Sequence, residues 1–181
     1  DELIEKYNLD TKKPIILFTQ HSVTTEFDQA SFQIRPSLNA LKKLANENFQ
    51  IIITYPNNDA GGKQIIKSIN EFFPKSTSNI QIHDSLGRYF YHGLLGLAKK
   101  RSSQIVCVGN SSSGIKETPA FSCPTVNVGS RQEGRLRGKN VIDVEYSETQ
   151  ILEAIRKSLS KDFPGSILFL IPSSPAINIA A

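Results

Sequence analysis

Residues 14–55 read PIILFTQHSVTTEFDQASFQIRPSLNALKKLANENFQIIITY, and the order of patterns within this stretch decides the fold. The run PIILFTQ is short and almost wholly apolar, as a strand buried on both faces must be. Downstream of it Leu38, Leu41, Leu44 and Ala45 recur at helical spacing, and a second apolar run, QIIITY, follows. Strand, helix and strand in this order predict two parallel strands joined by a crossover helix. The same alternation continues along the chain. Ile65, Ile66, Ile69, Phe72 and Phe73 form a helical face, NIQIH a strand, residues 87–100 a helix, and QIVCVG a strand. A helix starting near Ser112 or Ser113 leads to the strands PTVNVG and NVIDV. The final helix carries Ile151, Leu152, Ile155 and Leu159 behind a capping box of Ser147 and Gln150. The fold expected for residues 1–162 is therefore α/β, a Rossmann-like parallel sheet with helices on both faces.

The composition of the 181 residues, 39% hydrophobic and 21% charged, suits one domain with a sizeable core. A net charge of +4 is compatible with a phosphorylated ligand. Lys99, Lys100 and Arg101 form the longest basic run, and no aromatic platform accompanies them, so nucleic acid is not expected as a partner. Cys107 and Cys123 are far apart and outside any CxxC pair, which argues against a disulfide framework or zinc site and for a reducing cytoplasm. The opening DELIEKYNLD lacks the basic and apolar regions of a leader and reads as a helix continuing from preceding sequence. Residues 163–181 carry no charge, and Pro164, Pro172 and Pro175 interrupt them, so neither a membrane span nor a long helix is expected there. This segment is expected to be a peripheral tail.

In a parallel α/β sheet ligands bind beyond the C-terminal strand ends, and the polar clusters fall at those places. GNSSSGIKE, residues 109–117, follows a buried strand, and its small residues leave backbone amides open to an anion at a helix start. Ser111, Ser112 and Ser113 add hydroxyl donors. An ordinary serine-rich helix cap would look the same, and the loop lacks the pattern of a P-loop. Glu117 suits ribose hydroxyls better than phosphate, or else complements a helix dipole. GSRQEGRLRG, residues 129–138, sets Arg131, Arg135 and Arg137 between glycines, as either an anion-binding or a solvated basic loop. TQHSVTTE brings His21 to the end of the first strand, and YPNNDAGG brings Asn57, Asn58 and Asp59 to the end of the second. His83 and His92 belong to no motif and are taken as structural.

Taken in order, these clusters resemble the C-terminal domain of the hydrolysing UDP-N-acetylglucosamine 2-epimerases of sialic and related nonulosonic acid pathways. The resemblance is carried by Gln20-His21 with Thr24-Thr25-Glu26, by Pro56 through Gly62, by Gly109 through Glu117, by Pro124 with Asn127, by Gly129 through Arg135, and by Asn140-Val141. It implies one half of a two-domain GT-B (glycosyltransferase-B type) fold, with the N-terminal domain absent, and a homo-oligomer for the full-length enzyme. It further implies that His21 faces sugar and diphosphate, that Ser111 and Ser112 bind the diphosphate of UDP or UDP-N-acetylglucosamine, that Glu117 binds the ribose, that Arg131 serves the ligand's phosphates or the closed-cleft geometry, and that Asn57 is the family's cleft asparagine. Uracil would lie near Arg88 to Tyr91. The family reaction eliminates UDP and hydrates the resulting glycal to N-acetylmannosamine, with acid and base carboxylates from the N-terminal domain and with no metal or other cofactor. Two departures stand out: His21-Ser22 replaces the family's His-Pro, and the uncharged tail replaces its glycine-rich closing segment. The competing expectations are the donor-binding half of a GT-B glycosyltransferase and a non-catalytic UDP-sugar binding module.

Overall fold

The computed structural model describes residues 2–77, 79–100, 103–160 and 163, so Arg101 of the basic run and the tail beyond Phe163 lie outside the described residues. Its centre is a six-stranded, wholly parallel sheet in the order β3-β2-β1-β4-β5-β6. The strands are β1 (Ile15–Thr19), β2 (Gln50–Thr54), β3 (Ile80–His83), β4 (Ile105–Gly109), β5 (Thr125–Val128) and β6 (Val141–Val144). The helices are α1 (Glu2–Lys6), α2 (Ala30–Asn46), α3 (Gly62–Phe72), α4 (Gly87–Gly96), α5 (Ser113–Lys116) and α6 (Glu148–Ser158).

Alternation along the central strands divides the core into two layers. Ile16, Phe18, Ile51, Ile53, Val106 and Val108 point to the side covered by α2, α3 and α6, where Leu38, Leu41, Ile65, Ile69, Ile151 and Ile155 meet them. Ile15, Leu17, Ile52, Ile105 and Cys107 point to the opposite side, against Leu94 and Leu95 of α4 and, at the margin, Leu3 and Ile4 of α1. Burying each of these large aliphatic side chains contributes roughly 1.5–3 kcal/mol, and a strand lined on both faces explains why β1 reads as a continuous apolar run. The expected helix over residues 87–100 divides into α4 and a 3-10 turn at Leu97–Lys99.

The capping box at α6 forms by half. Ser147 Oγ accepts from the Gln150 amide, but the Ser147 amide already donates to the Glu145 carbonyl at 2.7 Å. Gln150 Oε1 therefore accepts from the Glu145 amide, at 3.0 Å.

The chain leaves β1 toward β2 on one side and reaches β4 on the other, so the strand order reverses between β1 and β4. Their C-terminal ends diverge into separate loops and leave a crevice. Gly109 closes β4 at φ +123°, and a Cβ there would lie 2.0 Å from the Thr19 carbonyl oxygen of β1. Only glycine allows the two strand ends to approach this closely. No helix among the described residues is long and apolar enough to cross a membrane.

Candidate functional site

The crevice opens into a cleft of about 550 Å³ lined by Thr19 at the end of β1 and His21 after it, Thr54 at the end of β2 and Tyr55 after it, Asp84 to Arg88 after β3, Tyr91 and His92 of α4, and Ser111, Ser113 and Glu117 after β4. Each comes from the C-terminal side of the sheet, because every βα connection in a parallel sheet emerges there. The Thr19 and Thr54 hydroxyls, 2.5 Å apart, join the ends of the two strands.

Asn110 holds the two sides of the crevice together. Its side chain spans both polar groups of residue 21: Oδ1 accepts from the His21 amide at 2.6 Å, and Nδ2 donates to the His21 carbonyl at 2.8 Å. Its own carbonyl accepts from Arg131 Nη1 at 3.1 Å and from Gln132 Nε2 at 2.8 Å. The β1 loop, the serine loop and the arginine loop thus meet at one buried residue. Asn110 stands inside the serine motif, but residue type alone gave no sign that its amide would grip a backbone 89 positions away.

His21 is set from its other side by Asn57. The Asn57 amide donates to His21 Nδ1 at 3.1 Å, which makes Nδ1 the acceptor in the neutral ring and places the proton on Nε2. Asn57 Nδ2 donates to Asp59 Oδ2 at 2.6 Å, so Oδ1 of the same carboxamide is turned to the ring, 3.1 Å from Nδ1. Both charge states of His21 therefore have a partner: the amide for the neutral ring and Oδ1 for the imidazolium. Burial lowers the His21 pKa and the Arg131 charge adds to this, while the bond to Asn57 and the Asp59 carboxylate oppose them. Arg131 lies 3.9 Å from Asp59.

The loop after β4 differs in detail from the expectation. Helix α5 has only 4 residues, Ser112 is its N-cap residue without a side-chain capping bond, and Glu117 ends it rather than sitting within a longer first turn. Thr118 cuts the helix short by beginning a 3-10 turn, Thr118–Phe121, with Pro119 in its first positions. The amides of Ser111, Ser112 and Ser113 make none of the backbone hydrogen bonds found among the described residues of this loop. Ser111 and Ser113 line the cleft and their hydroxyls are 3.0 Å apart, whereas Ser112 is not part of the lining. Ser113 Oγ is also 2.7 Å from the Tyr91 hydroxyl.

Behind that network Cys107 is buried, and burial raises its thiol pKa to about 11; the same cause raises Cys123 well above the ordinary thiol range. Burial likewise pushes the Tyr91 phenol up, so it remains a protonated donor. Of the three loop arginines, Arg131 reaches Asn110. Arg137 instead fastens its own loop, donating to the Gln132 carbonyl at 2.8 Å and pairing with Asp143 of β6.

His92, taken from sequence as structural, lines the cleft with Nε2 2.6 Å from Glu117 Oε2. No sequence signal marked this pair, because its members are 25 residues apart on different elements. His83 keeps a structural place, edge-on to Tyr7 at 5.2 Å. Among the described residues no group of three or more His, Cys, Asp or Glu is arranged to hold a metal ion.

A family model described as UDP-N-acetylglucosamine 2-epimerase matches residues 1–166. The chain belongs to that family. It is 33% identical over 162 residues to the GDP/UDP-N,N'-diacetylbacillosamine 2-epimerase (hydrolyzing) of Campylobacter jejuni, covering 90% of this chain and 40% of that protein. It is 37% identical over 161 residues to the UDP-N,N'-diacetylbacillosamine 2-epimerase (hydrolyzing) of Legionella pneumophila, covering 89% of this chain and 40% of that protein. The chain thus spans 40% of the length of these relatives. The fold matches that of the S. aureus MnaA-UDP co-structure with a TM-score of 0.60 at 14% identity, over 87% of this chain and 38% of that one.

Proposed function

We propose that residues 1–162 are the nucleotide-binding half of a hydrolysing UDP-sugar 2-epimerase, which converts UDP-N-acetylglucosamine or a closely related UDP-2-acetamido sugar and water into the 2-epimeric free sugar and UDP. The observation that carries this reading is the convergence of His21, Ser111, Ser113 and Glu117 on one cleft at the β1/β4 crevice. His21 offers Nε2–H to the diphosphate or to the sugar oxygen that leaves with it, and stabilising that charge assists departure of UDP. Asn57 orients the imidazole. The hydroxyls of Ser111 and Ser113, together with the loop amides, that of Ser112 among them, take the diphosphate, and Arg131 adds positive charge beside His21. Glu117 accepts from the ribose, and uracil lies against the segment from Arg88 to Tyr91. We assign the carboxylates that move the C2 proton to the part of the relatives' length that this chain does not span. The two free, buried thiols suit a reducing cytoplasm.

Calorimetry with the chain is expected to show UDP binding, and Ser111→Ala is expected to weaken it by about 1–3 kcal/mol while uridine binding hardly changes. A chromatographic assay with UDP-N-acetylglucosamine is expected to show no free N-acetylmannosamine from the chain alone. Absence of UDP binding would refute the reading, and turnover by the chain alone would refute the division of labour. The names of the two relatives favour a second substrate, UDP-N,N'-diacetylbacillosamine. Supplying both UDP-sugars to the chain joined to its complementing half decides between them by which free sugar appears.

A further inference from the structure

One contact at the cleft has no role in the scheme above. His92 of α4 and Glu117 at the end of α5 both line the cleft, with Nε2 and Oε2 2.6 Å apart and side chains 28% and 42% exposed. At that exposure such a contact adds little to stability, so its placement calls for another explanation. Glu117 is anchored through its backbone, its amide donating to the Ser113 carbonyl at 2.9 Å. Its side chain, however, has three rotatable bonds, and few of the resulting rotamers bring a carboxylate oxygen to a fixed point in the cleft.

His92 removes that freedom. A carboxylate only accepts, so His92 Nε2 carries the proton and donates, occupying Oε2 and leaving Oε1 for a second donor. The imidazole is itself fixed: its ring is 5.2 Å from Phe121 and 6.2 Å from Tyr91. Tyr91 in turn meets Ser113 at 2.7 Å. Tyr91–Ser113, His92–Glu117 and His92–Phe121 are three adjacent contacts tying α4 to the segment from Ser113 to Phe121. The imidazole donor also tempers the negative charge that Glu117 brings near a bound diphosphate.

We propose that His92 is a positioning residue for ribose recognition: by holding one oxygen of Glu117 it aims the other at the ribose hydroxyls. This rests on the reading of Glu117 as the ribose acceptor. His92 touches no reacting atom.

The test is calorimetry of the chain with UDP and with the UDP analogue lacking both ribose hydroxyls, using the wild type, His92→Ala, His92→Gln and Glu117→Ala, with thermal melts to confirm folding. The wild type should prefer UDP by about tenfold or more, and Glu117→Ala should abolish the preference. His92→Ala should lose about tenfold for UDP and no more than about twofold for the analogue. His92→Gln, which keeps an N–H donor for Oε2, should recover most of the loss. Equal losses for both ligands, or an unchanged UDP affinity in His92→Ala while Glu117→Ala loses the preference, overturns the role of His92 alone. A wild type that binds both ligands equally overturns the Glu117 contact and this inference with it, leaving UDP binding in place. A wild type that binds no UDP refutes the functional reading itself.

Discussion

Replacing Asn110 with alanine tests whether one buried amide assembles the cleft. The substitution removes two hydrogen bonds to residue 21, at 2.6 and 2.8 Å, and leaves the His21 amide and carbonyl without those partners beneath the cleft floor. A buried backbone group left unsatisfied costs about 1–3 kcal/mol. Water entering from the cleft recovers part of this, so the expected loss for both groups is about 2–4 kcal/mol. In a domain of this size that corresponds to a fall in melting temperature of roughly 4–16 °C. Urea unfolding followed by circular dichroism measures it. The same variant should lose most UDP affinity, because the His21 backbone is no longer held against the serine loop. Asn110→Asp separates the two halves of the clamp: its carboxylate still accepts from the His21 amide but sets a negative oxygen against the His21 carbonyl, and it should be no more stable than Asn110→Ala. A change in stability below about 0.5 kcal/mol for Asn110→Ala, the range of neutral surface substitutions, would refute the argument.

Gly109→Ala should destabilise the chain by about 3 kcal/mol or more, since it adds positive-φ strain to a Cβ driven against the Thr19 carbonyl oxygen, and expression in soluble folded form is the first check. Stability should fall on acidification. Burial lowers the pKa values of His21 and His83 in the folded state, so the unfolded chain binds more protons, and stability present above about pH 6.5 is lost as pH falls toward the folded values. Urea midpoints between about pH 5 and pH 7 should drift down, and His21→Gln should flatten part of that slope, leaving the part due to His83. Cys107 and Cys123 should resist a thiol reagent at neutral pH in the folded chain and react together on unfolding, because both are buried with raised pKa values; rapid labelling of either in the native state would contradict their placement.

The sheet was legible because its signals are local. Burial on both faces forces a strand such as Ile15–Thr19 to be apolar throughout, and a helix packed by one face, such as α2, must repeat its leucines at helical spacing. Polar clusters follow strand ends in the chain, so parallel connectivity was enough to predict that His21, Asn57, Ser111 and Arg131 would gather on one side of the sheet. Less local features were lost. The length of α5 depended on the 3-10 turn that begins at Thr118 competing with the helix, and the path of the loop before it set Ser113 rather than Ser112 in the cleft lining beside Ser111.

Asn110 against residue 21, and His92 against Glu117, join positions 89 and 25 residues apart. Such pairs leave no periodic trace in a single sequence, since they exist only once β1 and β4 pair in register, Thr19 beside Gly109, and α4 packs against that pair. The sequence by itself determined the layers, the parallel connectivity and the side of the sheet that would carry the site, because patterning and chain order are sufficient for those. Which side chains hold the site in shape was decided by the tertiary structure, because hydrogen bonds depend on distances of a few tenths of an ångström that only the packed strands and helices set.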